Sequence, residues 1–303
     1  AGLTAALRLS RGGAKVTLVT KGIGGLQLSQ GTVDLLGYSD SGRITQPLAE
    51  VETHIASRPG HPYSHFTPEF IAESANWLKE VLGPKLLVGD PRQNVIIPTS
   101  LGALRPTSLY QPSMAAGIPA AGKSYVIVGL KRLKDFYPKI IAENLSRQAT
   151  ADGAPIQVRS LIVDVEIRKD EVDTTGTNHA RALDNAAMRE RFVAAIAPHL
   201  REGEVVGLPA VLGLDAWKDI EKRLGHEVFE IAMQPPSIPG MRLNQELTAL
   251  VKAQARFIIG SHVTGIETKD GAVTAVSIST AGRPTRIETK NVVLAGGGFE
   301  SGA

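Results

Sequence analysis

Chemistry in this chain has to come from its backbone and a handful of cationic side chains. None of its 303 residues is a cysteine, which excludes disulfides, thiolate zinc centres and a cysteine-ligated iron–sulfur cluster on these residues. No histidine or carboxylate spacing suggests another metal site. What the chain has instead is glycine, placed where a backbone could approach a ligand. Residues 292–295, Val-Val-Leu-Ala, run into Gly296, Gly297 and Gly298. This reads as a buried strand that ends where any side chain would collide with a bound molecule. Near the other end, Gly2 precedes the apolar positions Leu3, Ala6 and Leu7, where the third glycine of a G-x-G-x-x-G turn would stand. That glycine lets helix and strand pack closely, and the two before it admit a pyrophosphate. The first strand of this βαβ unit and its two leading glycines are expected before Ala1.

Three side chains could act on a substrate. Arg105 is followed by Pro106 and offers a fixed guanidinium fork, either an anion clamp or half of a structural ion pair. Arg242 follows three prolines and falls in the first turn of an expected helix, where a cation opposes the helix dipole unless an anion or carboxylate meets it. His61 sits between Gly60 and Pro62 and reads as a catalytic base or as a turn residue with one hydrogen bond. The glycine-rich residues 22–36 offer Ser29 and the amides near Gly31 as donors that could wrap a cofactor, or form a plain surface connection. Residues 117–124, Gly-Ile-Pro-Ala-Ala-Gly-Lys-Ser, match the phosphate-loop pattern. That loop works only when it leaves a strand and opens a helix, and here it precedes a strand; triphosphate binding is not expected.

The elements that position these residues follow from periodicity. A helix from Gly2 leads through Arg11-Gly-Gly-Ala to a strand at residues 15–19, which ends in Thr20 and Lys21. In dinucleotide folds that strand commonly ends in an acid that bonds the adenosine ribose, and Thr20 stands in its place. A helix is expected at residues 68–82. From residue 125 to about 234 strands alternate with helices: strands at 125–128, 156–158, 204–208 and 227–231, helices at 132–148, 178–200 and 215–224. Such alternation implies a parallel or mixed sheet with helices packed on it. A helix at 240–255 and a strand at 256–259 follow. The Asp270-Gly271 turn is the strongest hairpin signal in the chain, and a further partner strand is expected at 285–290.

Length and composition bound the whole. Three hundred residues suggest about two domains, and 43% hydrophobic content is enough for a real core. Thirty-three Lys and Arg against thirty Asp and Glu give a net charge of +3 without long runs of one sign, so no nucleic-acid track is expected. No apolar run approaches a membrane span, and no signal peptide is visible. The fold class is α/β: a discontinuous Rossmann-like FAD/NAD(P)-binding domain from residues 1–50 and 240–303, a connecting helical segment at 51–84, and an inserted second α/β module at 85–239. Residues 16–19 and 292–295 are expected in one sheet.

The strand ending in Ala-Gly-Gly-Gly-Phe, preceded by a Lys-Asp-Gly hairpin, resembles the flavin-binding fold of the fumarate reductase and succinate dehydrogenase flavoproteins, whose usual form is Ala-Thr-Gly-Gly-Phe. Further stretches, in order along the chain, resemble the B subunit family of the anaerobic glycerol-3-phosphate dehydrogenases. They are Leu28-Ser-Gln-Gly-Thr-Val-Asp-Leu-Leu36, His61-Pro-Tyr-Ser64, Leu101-Gly-Ala-Leu-Arg-Pro-Thr107, Val126-Ile-Val-Gly-Leu130 with Asp135-Phe136, Leu208-Pro-Ala-Val-Leu-Gly-Leu214 and Pro235-Pro-Ser-Ile-Pro-Gly-Met-Arg-Leu243. The resemblance implies a flavoprotein component that supports quinone-linked oxidation of sn-glycerol 3-phosphate to dihydroxyacetone phosphate; the alternatives are another fumarate reductase-type flavin oxidoreductase, acting on a dicarboxylate or steroid, and a non-catalytic assembly subunit that keeps the flavoprotein fold. It implies two partners: the catalytic flavoprotein A subunit, and the iron–sulfur C subunit that anchors the complex on the inner face of the cytoplasmic membrane. The implied cofactor is FMN, with FAD the alternative. Carried over by position, the flavin-facing residues are Gly2, Thr20, Lys21, Ser29, Gly31, Ala295, Gly296 and Gly297, with Val263 as an adenine contact if FAD is bound. The family has a further glycine-rich segment expected after Ala303, so these 303 residues are expected to fold in large part yet not to hold flavin.

Overall fold

The computed structural model describes residues 1–213 and 215–297. Helix α1 (Gly2–Arg11) buries Ala6 and Leu7 and closes on Arg8 and Arg11, cations that suit a helix C-terminus. Strand β1 (Thr17–Thr20) follows, then a small hairpin of β2 (Tyr38–Ser39) and β3 (Gly42–Arg43). Helices α2 (Pro47–Ser57) and α3 (Pro68–Leu82) each begin with proline, which is preset for the first helical turn and lacks only an N–H that would go unpaired there. The Phe70 amide donates to the Thr67 hydroxyl to cap α3, and Gly83 ends it at φ 73°. Short antiparallel pairs follow among β4 (Val88–Gly89), β5 (Val95–Pro98), β6 (Leu104–Thr107) and β7 (Leu109–Tyr110), with β4 on β7 and β5 on β6.

The alternating stretch forms β8 (Ser124–Leu130), α4 (Pro138–Leu145), β9 (Gln157–Val163), α5 (Gly176–Leu183), α6 (Ala186–Ile196), β10 (Glu204–Pro209), α7 (Trp217–Leu224) and β11 (Val228–Ile231). The four strands make one parallel sheet in the order β11-β10-β8-β9. Residues from Tyr125 to Leu130 are buried without a break, as expected of a central parallel strand covered on both faces. Two helices are shorter than their apolar periodicity predicts. The helix expected at 132–148 starts only at Pro138, after Asp135 takes a left-handed φ of 64°. The one expected at 178–200 breaks at Asp184, because the Asn185 side chain accepts the amides of Ala187 and Met188 and starts a new helix.

Helix α8 (Ile238–Gln254) leads to β12 (Arg256–Ile259), β13 (Ser261–Lys269), β14 (Ala272–Thr280) and β15 (Arg283–Glu288). The last three form an antiparallel meander. Its turns, Asp270-Gly271 and Ala281-Gly282, hold both central residues at positive φ, the tight hairpin geometry whose twist matches that of the strands.

The chain divides into two compact units, residues 1–26 with 243–303 and residues 27–242. The first holds α1, the β1–β12 parallel pair and the meander. The second holds the four-stranded sheet and the main core. Residues 27–50, expected with the flavin strands, cluster with the second unit, where Leu36 and Ile44 pack with Val51 and Ile71. Residues 292–295 are not a strand and do not join the sheet of β1. A strand exists only where a neighbour takes its backbone hydrogen bonds, and here Val293 and Leu294 stay 61% and 91% exposed. Gly298 and Phe299 of that motif, and Leu214, lie outside the described residues.

Candidate functional site

In the first unit two of the flavin-facing candidates, Gly2 and Ala295, meet at the start of α1. No side chain caps the helix start and no acid lies in its first turn. The first intrahelical bond runs from the Ala5 amide to the Ala1 carbonyl at 2.9 Å, so the preceding amides have no acceptor within the helix. A Cβ on Gly2 would meet the Cβ of Ala295 at 3.5 Å, so the glycine run and the helix start touch. Gly297 adopts φ 99°, open to glycine and strained for other residues. The Thr20 hydroxyl donates to the Gly22 carbonyl at 2.6 Å, and Lys21 is exposed. Val263 on β13 is 49% exposed. A helix N-terminus, glycine backbone and the exposed Lys21 and Val263 side chains are groups that suit an anion carrying a flat apolar group.

In the second unit the Gly31 loop is held firmly. Gly31 has φ 78°, and a Cβ there would collide with Pro239 and lie 2.7 Å from the Gln111 side-chain nitrogen. Its amide donates to the Ser29 hydroxyl at 3.3 Å. The bland surface-connection reading of this loop therefore does not describe Gly31, which is buried.

Arg242 meets a carboxylate of this chain. It is buried, and its Nη1 and Nη2 donate to the two Glu230 oxygens at 2.6 and 2.9 Å. Nε and Nη2 also donate to the Gly213 carbonyl at 3.0 and 2.6 Å, and Nη1 to the Gln111 oxygen at 3.1 Å. All five guanidinium protons are thereby used, which leaves none for a substrate phosphate. Arg105 donates to Asp34 at 2.5 Å and to the Thr32 hydroxyl at 2.8 Å, an ion pair within the chain. His61 accepts the Tyr63 amide on Nδ1 at 3.2 Å and stands edge-on to His54 and Tyr63, so it caps a turn. Lys123 pairs with Glu227 at 2.5 Å, and its loop runs into β8 rather than into a helix.

Glu230, Gln111 and Asp34 were not legible as site residues. Each is a solitary polar residue whose partner lies on another element, and only Arg242's cost at a helix start signalled that a carboxylate had to exist. No cluster of three metal-ligating side chains occurs among the described residues, and none of their helices is long and apolar enough to cross a membrane.

The helix–strand unit at the start of the chain, the parallel β1–β12 pair and the anion-suited helix end belong to one class of α/β fold. The FAD binding domain family matches residues 1–257, and the chain belongs to that family. Among its relatives is the B subunit of a probable anaerobic glycerol-3-phosphate dehydrogenase from Halobacterium salinarum, 29% identical over 99% of this chain and 72% of the relative. The anaerobic glycerol-3-phosphate dehydrogenase B subunit of Pectobacterium carotovorum is 27% identical over 99% of this chain and 73% of its own length. That of Aliivibrio fischeri is 27% identical over 87% of this chain and 61% of its own. No solved structure matches the chain.

Proposed function

We propose that this chain is the flavin-carrying B subunit of an anaerobic, quinone-linked glycerol-3-phosphate dehydrogenase, and that its flavin is FAD. The observation that carries the reading is a likeness to B subunit proteins that runs along 99% of the chain, on a chain of the FAD binding domain family. Oxidation of sn-glycerol 3-phosphate to dihydroxyacetone phosphate removes two electrons and two protons, and a bound flavin supplies the acceptor for both electrons. In this reading the residues of this chain bind and orient: the first amides of α1 and Lys21 would hold phosphate, Gly2, Ala295, Gly296 and Gly297 would let the backbone come close, Val263 would contact an adenine, and the Ser29–Gly31 turn would offer amides to the flavin. These residues hold no cysteine and so ligate no cluster through thiolate; in this reading iron–sulfur relay belongs to partner chains. Those partners are the catalytic flavoprotein A subunit and the C subunit, which keeps the complex peripheral on the inner face of the cytoplasmic membrane. Arg105 and Arg242 have no part in substrate binding in this reading, because internal carboxylates occupy them.

FMN is the second reading, favoured by one observation. Thr20 stands where a ribose-binding acid would and spends its hydroxyl proton on Gly22.

The full-length protein, purified with its partner chains, should be yellow, release FAD identified by mass, and reduce a soluble quinone with sn-glycerol 3-phosphate. Release of FMN alone would decide for the second reading. A colourless complex, or one inert to glycerol 3-phosphate, would sink the proposal.

A further inference from the structure

Gln111 is the meeting point of two parts of the second unit that are far apart in sequence. It is 2% exposed and uses both ends of its amide. The nitrogen donates to the Pro239 carbonyl at 2.7 Å, and the oxygen accepts from Arg242 at 3.1 Å. This fixes which end is which: a guanidinium needs an acceptor and a carbonyl needs a donor. Arg242 in turn is locked by both oxygens of Glu230 on β11 and by the Gly213 carbonyl. The rigid end of the network is therefore the core sheet.

The soft end is the loop. Gly31 lies against Pro239 and against the Gln111 nitrogen that holds the Pro239 carbonyl, in a space that a Cβ would overfill. A second tie runs beside it, from the Ser237 amide to the Gln27 carbonyl at 2.9 Å. The loop at 27–31 is thus seated on the first turn of α8 at 237–239, and Gln111 sets the height of that turn relative to the sheet.

We infer that Gln111 is a positioning residue for the flavin-facing loop: through Pro239 it fixes where the Gly31 backbone stands, and through Arg242 and Glu230 it refers that position to the core. The inference rests on the proposed flavin role of the Ser29–Gly31 turn. Removing the amide frees the turn at 237–239 and the loop seated on it while the sheet stays folded. Replacing it by a carboxylate keeps an acceptor for Arg242 but sets an anion against the Pro239 carbonyl, so the same turn lifts. A residue that only filled space would tolerate an isosteric carboxylate at the loop and show its loss in the sheet.

The test uses the full-length protein with Gln111→Leu and, should that variant not fold, Gln111→Glu. Hydrogen exchange is followed at residues 27–33 and at β8 and β10, and flavin affinity by titration of the deflavinated protein. The expected result is exchange in the loop faster by about tenfold or more, β8 and β10 at their original rates, and flavin affinity weaker by about tenfold, the scale of one lost buried hydrogen bond. Unchanged loop exchange would overturn the inference, as would faster loop exchange with flavin affinity intact. A wild-type protein that binds no flavin at all would instead overturn the proposed function, an outcome the loop exchange rates do not share.

Discussion

At the scale of single residues, burial decides what the ionisable groups do. The Arg242–Glu230 pair is desolvated and bidentate, and removing one partner leaves the other as an uncompensated buried charge, which costs about 3–5 kcal/mol. Arg242→Met should lower unfolding free energy by that order. The double change with Glu230→Met should recover a large part of it, since an apolar pair has no charge to strand. Denaturant titration of the four proteins checks this, and strict additivity would contradict it.

His179 gives a pH dependence. It is fully buried, it shares a 2.6 Å hydrogen bond with the Thr174 hydroxyl, its Nδ1 has no partner, and desolvation lowers its pKa from 6.5 to about 4. Between those values the unfolded chain binds a proton that the folded chain refuses. Stability from this group is therefore complete above pH 6.5 and is lost as pH falls towards 4, by roughly 3 kcal/mol over the interval. His179→Gln should flatten that part of the stability profile. An unchanged slope between pH 6.5 and 4 would assign the dependence to other groups.

At the scale of elements, the core sheet was legible because its signals agree. Apolar strands, amphipathic helices and connecting turns repeat from residue 125 to 231, and three of the four strands stand where the alternation puts them, while the one expected at 156–158 runs on to Val163 as β9. Helix ends were less legible, since Pro138 and Asn185 act through local geometry that overrides periodicity. The stretch at 292–295 misled for a physical reason: an apolar run reads the same whether or not a neighbouring strand exists to pair with it. What no pattern revealed is how tightly the sheet meets its cover. A Cβ on Gly207 of β10 would lie 2.5 Å from the Phe229 ring and 2.9 Å from Ile127, both in the core. Gly207→Ala should therefore cost about 1–3 kcal/mol by overpacking. Trimming the ring with Phe229→Leu should make the same alanine less costly. Equal cost in both backgrounds, measured by urea unfolding, would place the strain elsewhere.

At the scale of the molecule, the family and the α/β class were legible in ordered motifs, whereas the pairings that build the candidate site were not. Asp34 with Arg105, Gln111 with Pro239 and Glu230 with Arg242 join residues that only the folded chain brings together. The β1–β12 pair is the extreme case, with Thr17 opposite Arg256. A ribosome adding about 5–20 residues per second completes β12 roughly ten to fifty seconds after β1. Over that interval β1 is a nascent strand without its mate while residues 27–242 can already close their own sheet. The order of synthesis thus lets the sheet of the second unit close before the β1–β12 pair of the first can form.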